Sequence, residues 1–514
     1  MKHRIISVLL ALALLLGLLP RIAPAARAAS SGTCGDNLTW ELSDDGVLTI
    51  AGSGPMLDWE YSKNAPWYAV RSEVKTAVIA DGVTYIGNWA FSRCNSLSRV
   101  SIPDSVTSIG EHAFHCCKNL ESVKIPNSVT YIEPWVFSQC YNLSRVIIPD
   151  SVTSIIDFMF FGCESLHSIK IPDSVTSIGR SAFESCISLS SIHIPDSVTS
   201  IGIMAFSCCT SLESVTISDS VTEIADNMFL GCDNLRKVRI PRSVTRIGDD
   251  AFAVCGLRDV RIPNSVTSIG DSAFSSCRSL RSVRIPDSVT SIGDSAFSSC
   301  TSLDIVRIPD SVISIGEEAF SCCTSLESVR IPDSVTRVGA GAFAYCTSLS
   351  SIEVSPDNPY YVSDSDGILF NKTHTTLLAY PGAKTGDYTI PDGVTRIGNA
   401  AFQHCPGLRS VVIPDSVISI GKYAFSDCSS LESVDVPDSV TQIEQSAFYG
   451  CDNLKSVCIP GSVTSIGNSA FLGCTSLTDL YYGGTEQQWE AMTATAFGAD
   501  VPTVHFEPAG SGQP

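Results

Sequence analysis

Apolar and polar positions recur along this chain with one dominant period. Aligned on an Ala-Phe-type dipeptide, phenylalanines fall at 91, 114, 137, 160, 183, 206, 229, 252, 274, 297, 320 and 343, then at 402, 425, 448 and 471. The step is 23 residues, with one 22-residue step at Cys255-Gly256-Leu257 and a 59-residue gap after Phe343. One unit reads Leu97-x-x-Val100-x-Ile102-Pro103-Asp104-Ser105-Val106-x-x-Ile109-Gly110-x-x-Ala113-Phe114-x-x-Cys117. Val100 and Ile102 alternate with polar neighbours, which predicts a short strand with one buried face. Pro103 ends it, having no N–H for a ladder. Asp104-Ser105 suits a turn in which short side chains bond nearby backbone. Val106 and Ile109 return to the interior, and Gly110 is expected to permit a sharp bend. The Glu111–Phe114 stretch predicts a single helical or 3-10 turn that lays Phe114 inside.

No such unit buries its apolar side alone, so stability must come from neighbouring copies. A period near 23 with Leu-x-x-Val-x-Ile spacing predicts a β-rich solenoid of leucine-rich repeats, with a parallel sheet and short helical or 3-10 turns. Of 21 cysteines, sixteen lie three residues after the repeat phenylalanine. Stacked in register their Cβ vectors are parallel, a poor geometry for disulfides. The column therefore reads as reduced, buried thiols. Cys34, Cys116, Cys208, Cys322 and Cys458 stand off this register.

A solenoid needs caps. Asn37–Leu42 and Gly46–Ile50 read as two strands around Asp44-Asp45-Gly46, a β-hairpin. Trp59, Trp67 and Tyr68 supply bulk over a first coil framed by Val74, Ala77 and Ile79. Thr485 to Met492 reads as a helix with a Thr485/Gln488 capping box, and Val501, Val504 and Phe506 as a closing strand. Between the arrays, Asn358-Pro359-Tyr360-Tyr361 and the Gly367–Phe370 and Leu377–Pro381 stretches suggest an irregular hairpin. Residues 1–29 carry a basic start, an apolar run from Ile5 to Leu19 and Ala26-Arg27-Ala28, the pattern of a secretory leader. The expected division is 1–29 leader, 30–73 N-terminal cap, 74–354 first array, 355–384 insert, 385–480 second array and 481–514 C-terminal cap and tail. No later stretch is long and apolar enough to span a bilayer.

These residues resemble a known family. The units Ile-Pro-x-Ser-Val-Thr-x-Ile-Gly-x-x-Ala-Phe-x-x-Cys look like the BspA-type leucine-rich repeats of bacterial surface proteins. Cys34–Trp40 and Ala65-Pro66-Trp67-Tyr68 are similar to segments that precede such arrays, and Tyr481–Thr485 with Gln488-Trp489 resembles their C-terminal unit. The resemblance implies an extracellular protein of host-associated bacteria that adheres to host or matrix components. It supplies no catalytic residues and no cofactor.

Charge narrows the picture. The formal net charge is −20, and without the leader 29 basic face 53 acidic residues, a net of −24. Such a balance argues against general nucleic-acid binding. No Gly-x-Ser-x-Gly motif occurs, and no acid/base pair stands out for a wall-polymer hydrolase. His112, His115, Cys116 and Cys117 have metal-ligand chemistry, yet Cys117 is a core position of the repeat. Asp364-Ser365-Asp366-Gly367 lacks the distal glutamate of a calcium loop and reads as a turn. One column departs from the acidic background. The outward strand position reads Ser101, Lys124, Ile147, Lys170, His193 and Thr216, then Arg239, Arg261, Arg284, Arg307 and Arg330, then Glu353. Like charges so placed repel. Either Asp287, Asp310 and Asp333 neutralise them, or the column binds an anionic ligand such as an acidic glycan. The expected function is a secreted or cell-surface binding module for a host or matrix protein or acidic glycan. The alternative is a structural or decoy surface protein without a defined ligand.

Overall fold

The computed structural model describes residues 30–492, 495–497 and 502–506. The leader expected over 1–29, the position of Val501 and the tail after 506 lie outside them.

Most coils contribute two short strands to two faces. Ser122–Lys124 pairs in parallel with Arg145–Ile147, Val123 opposite Val146. Nine residues on, Tyr131–Ile132 pairs in parallel with Ser108–Ile109. Both strand rows repeat along the stack, with Val123 and Ile132 turned inward and Ser122, Lys124 and Tyr131 exposed. Pro126 ends the first strand and its carbonyl accepts the Val129 N–H at 3.1 Å, closing the corner. The turn serine bonds across coils instead of within its own: Ser128 Oγ donates to the Val106 carbonyl at 2.6 Å.

The segment carrying the phenylalanine is a run of tight turns. Ala113, His115 and Cys117 donate to carbonyls three residues back, at 3.0–3.3 Å, while His112, Phe114 and Cys116 donate to Pro134, Val136 and Ser138 of the next coil. That alternation requires left-handed backbone at His112 (φ 55°) and Cys116 (φ 58°), and equivalent residues repeat it down the stack. Each such non-glycine residue costs about 1 kcal/mol, which the inter-coil bonds offset.

The repeat glycine has a different cause from the one expected. Gly110 is not among the residues of positive φ. A Cβ there would lie 2.2 Å from Asn88 Oδ1 and 2.8 Å from its backbone N, and at Gly293 2.5 Å from the Gly270 carbonyl carbon. Neighbouring backbones pass too closely for a side chain. The next position is often acidic, and its carboxylate takes the equivalent N–H of the following coil: Asp226 from Asp249 at 2.9 Å, Asp249 from Asp271 at 3.0 Å, Asp271 from Asp294 at 2.8 Å.

The phenylalanines form a stacked column from Phe91 to Phe343, all fully buried or nearly so, with ring centroids 5.1–5.9 Å apart. Beside them the column cysteines are thiols. Most donate to the carbonyl of a phenylalanine in the preceding coil, as Cys117 to Phe91 at 3.0 Å and Cys300 to Phe274 at 3.2 Å, while Cys405 donates to Tyr380. Burial pushes the Cys94 and Cys277 thiols up to about 12.

At the N-terminus the hairpin Leu38–Leu42 and Val47–Gly52 forms as expected, and Ser30–Gly35 adds an antiparallel strand outside it. Val47–Gly52 then pairs in parallel with Thr76–Ile79 of the first coil. Trp67 stacks on Phe91 at 5.5 Å, held by an Nε1–H bond of 2.7 Å to the Ala90 carbonyl, while Trp40 and Trp59 abut it edge-on. At the other end Thr485 and Gln488 make the reciprocal capping box of the helix Glu486–Met492, at 2.8 and 3.3 Å. Thr503–Phe506 closes the sheet beside Asp479–Tyr482.

The insert is an antiparallel meander of Tyr361–Ser363, Leu369–Asn371 and Thr376–Ala379, whose last strand runs parallel to Arg396–Ile397. It separates two hydrophobic cores. Leu369 packs into the first, and Ile368 and Phe370 into the second. Tyr380 caps the second phenylalanine column, 4.9 Å from Phe402, and Phe497 extends it beyond Phe471 at 5.3 Å.

Candidate functional site

The first strand of each central coil has the burial order exposed–buried–exposed, so two outward columns flank each inward valine. Arg261, Arg284 and Arg307 face one another directly in the parallel register. At the ends of the column the environment changes. Arg239 is held by Asp219 at 2.9 Å. Arg330 stands opposite Glu353 and donates to Ser355 Oγ at 3.3 Å. The five arginines are therefore three unpaired members between two tethered ones.

Asp287, Asp310 and Asp333 do not close on the column as direct ion pairs, although Asp310 shares a cleft with Arg307 and Arg330. All three aspartates are exposed, and among the described residues no ion pair joins any of them to Arg261, Arg284 or Arg307. Three guanidinium groups on adjacent strands are left to solvent, where repulsion is damped by water and salt.

The structure adds residues that the single-column reading missed. Arg236, Arg258 and Arg281 stand exposed three positions before Arg239, Arg261 and Arg284. At strand rise this makes a second basic row about 10 Å from the first. Lys237 and Arg242 are exposed in the same region. The signal was present at Arg242 and Asn264, since the position after the repeat proline is aspartate in most coils, as at Asp104, Asp287 and Asp310.

The same coils hold a break in the sheet. Lys237–Arg239 ends one run of paired strands and Asp259–Arg261 begins the next, although the second face continues unbroken through Arg246↔Ser268. The break coincides with the 22-residue coil. A cleft of about 1180 Å³ opens there, with Asp219, Arg239, Arg242, Arg261, Asn264 and Ser265 in its wall. Ser265 Oγ is buried without a partner, unlike the equivalent Ser288, which donates to the Val266 carbonyl at 2.6 Å.

Other candidate chemistry resolves into structure. His112 is stacked between Trp89 and Trp135 at 3.9 and 5.6 Å, and burial lowers its pKa to about 4. Cys116 donates to Gln139 Oε1 at 2.7 Å, and Cys117 belongs to the thiol column. Among the described residues no group of three or more His, Cys, Asp or Glu is placed to hold a metal ion. Asp364 Oδ1 accepts the Asp366 and Ile368 N–H groups at 2.9 Å, the turn expected for that segment. No helix among the described residues is long and apolar enough to cross a membrane.

In-register coils with buried leucine, phenylalanine and cysteine columns and a variable outward strand face define a leucine-rich-repeat solenoid. The chain belongs to the BspA-type leucine rich repeat family, whose model matches residues 68–176, 153–281, 267–373 and 378–497. Similar solved structures include a leucine-rich repeat protein from Bacteroides ovatus, 27% identical over 92% of this chain and 99% of that one, with a TM-score of 0.46. A leucine rich cell surface protein from Faecalibacterium prausnitzii is 25% identical over 91% and 98%, TM-score 0.34. The pneumococcal vaccine antigen PcpA is 18% identical over 93% and 99%, TM-score 0.39. No curated protein matches the chain significantly.

Proposed function

We propose that this solenoid is a secreted or cell-surface binding module, not an enzyme, and that it adheres to host or matrix macromolecules through the outward face of its central coils. Its ligand on that face is an acidic glycan, contacted by Arg239, Arg261, Arg284, Arg307 and Arg330. The observation that carries this reading is the register of Arg261, Arg284 and Arg307, adjacent, exposed and unpaired in a protein of net charge −20. Strand spacing puts the five side chains along about 20 Å, so an extended anionic chain parallel to the stack meets one guanidinium per coil. Each exposed contact is weak, and a row of them gains by multivalency.

The test is a glycan array followed by titration of the hits against Arg261→Ser/Arg284→Ser/Arg307→Ser. Three contacts of roughly 0.5 kcal/mol each make the expected loss about tenfold, with binding that weakens as salt rises. Wild-type protein that binds only neutral glycans, or a triple variant that binds as well as wild type, overturns the reading. Silence across the array favours a structural surface component.

A further inference from the structure

Several departures from the repeat coincide at one place. The only 22-residue coil lies between Phe252 and Phe274. There the first-face sheet opens between Lys237–Arg239 and Asp259–Arg261 while the second face stays paired. The two positions after the repeat proline that flank the opening carry Arg242 and Asn264 where most coils have aspartate. Ser265 loses the inter-coil bond its equivalents make, leaving Oγ buried and unpartnered. Each has a simple physical effect. The strands part at the shortened coil, the two replacements leave Asp219 as the one carboxylate in the wall, and the displaced serine leaves a hydroxyl with no protein partner, a costly arrangement unless something else bonds it.

The cations converge on the same opening. Arg239, Arg242 and Arg261 all line it, and Asp219, the one carboxylate in its wall, holds the Arg239 guanidinium at 2.9 Å. Guanidinium groups bind oxyanions through paired N–H donors, and a hydroxyl and an amide supply further donors at one side. We propose that this cleft is a discrete subsite that takes a single sulfate or carboxylate substituent of an acidic polysaccharide, fixing the register of the chain that the arginine column then follows. The proposal rests on the anionic-glycan reading and adds to it a specificity-determining seat, made by Arg239, Arg242, Arg261, Asn264 and Ser265.

The shortened coil suggests its own test. Inserting one serine between Gly256 and Leu257 restores the 23-residue step and closes the sheet while every arginine stays in place. The probes are dextran sulfate and polygalacturonate, with unsubstituted dextran as control, titrated against the full chain. A second pair of variants, Arg242→Asn and Arg278→Asn, removes the same charge inside the cleft and on an exposed turn outside it. The insertion and Arg242→Asn should each weaken binding of the better polyanion about fivefold, the loss of one charge-assisted contact, and Arg278→Asn should change it far less. Equal effects of Arg242→Asn and Arg278→Asn overturn the subsite, since a diffuse field does not distinguish them. If the insertion fails to fold, that pair alone decides. A variant Arg284→Ser/Arg307→Ser that weakens binding while the cleft variants do not leaves the column standing and removes the seat. Wild-type protein that binds neither polymer, or binds duplex DNA or inorganic polyphosphate more tightly than both, overturns the seat together with the reading beneath it.

Discussion

The central and C-terminal arrays build their two cores from the same columns and differ on their outer face. In the position just after the repeat leucine, Arg236, Arg258 and Arg281 follow one another, positive and exposed, before the row turns acidic at Asp304 and Glu327. The same position in the C-terminal coils carries Arg409, Glu432 and Lys455, where charges alternate. Lys455 pairs with Glu432 at 2.9 Å, and Arg409 with Asp387 at 3.3 Å. A further pair, His505 with Asp479 at 2.7 Å, extends this behaviour to the last strand. Where the repeat's outward residues serve only to solubilise the sheet, alternation between coils satisfies each charge with its neighbour. The central face forgoes that solution over three coils, from Arg236 to Arg281. The proposed ligand rests on this difference, since the fold itself does not require the arginines.

The interiors should respond alike. Phe297 stacks between Phe274 and Phe320 at 5.3 and 5.5 Å, and Phe425 between Phe402 and Phe448 at 4.7 and 5.3 Å. Replacing either by alanine should cost about 3–5 kcal/mol, the range for a buried phenylalanine, measured by denaturant unfolding of the full chain. A variant with a scarcely shifted midpoint would show that this column does not bear the packing assigned to it. Thiol labelling sharpens the same equivalence. The column cysteines of both arrays should resist a thiol reagent in folded protein and react after denaturation without reductant. Adjacent-coil disulfides found by mass spectrometry would contradict the hydrogen-bonded thiol column.

The smallest expected effect separates the faces by pH. The Lys455 hydrogen bond holds the Glu432 carboxyl below the usual range, and Arg409 does the same for Asp387. Carboxylates depressed in the folded state contribute stability above their unfolded pKa and lose it as pH falls through the folded value. The C-terminal face should therefore loosen slightly in acid, with both groups fully exposed and the change small. NMR titration of Glu432 should show its pKa returning to the ordinary range in Lys455→Gln; an unchanged value would remove the ion pair from the account.

What the sequence revealed and what it hid follow from packing. Phenylalanine, cysteine and valine recur at a fixed step because each must meet its equivalent in the next coil, so the solenoid, the hairpin cap and the capping box were legible. The second strand row was not, since two-residue elements such as Ser108–Ile109 show no alternation. Ser30–Gly35 pairs despite a serine- and glycine-rich composition that signals no strand. Tyr380 and Phe497 join the phenylalanine column off its period, and the glycine column answers to backbone proximity, which no single coil displays. The arginine column was visible as a run of letters. The lack of a close acidic partner at Arg261, Arg284 and Arg307, the second row and the opened sheet were not, because they depend on which coil edges face one another.

The most direct test transfers the C-terminal solution to the central face. Arg284→Glu places a carboxylate between Arg261 and Arg307 in the parallel register, so the column becomes self-paired as Arg409, Glu432 and Lys455 nearly are. Titration with dextran sulfate at low and moderate salt, alongside thermal unfolding, reads both consequences. The account predicts unfolding at the wild-type temperature or slightly above it, with salt-sensitive binding reduced about tenfold or more, as removal and reversal of a central charge require. Undiminished binding in a folded Arg284→Glu protein would contradict it.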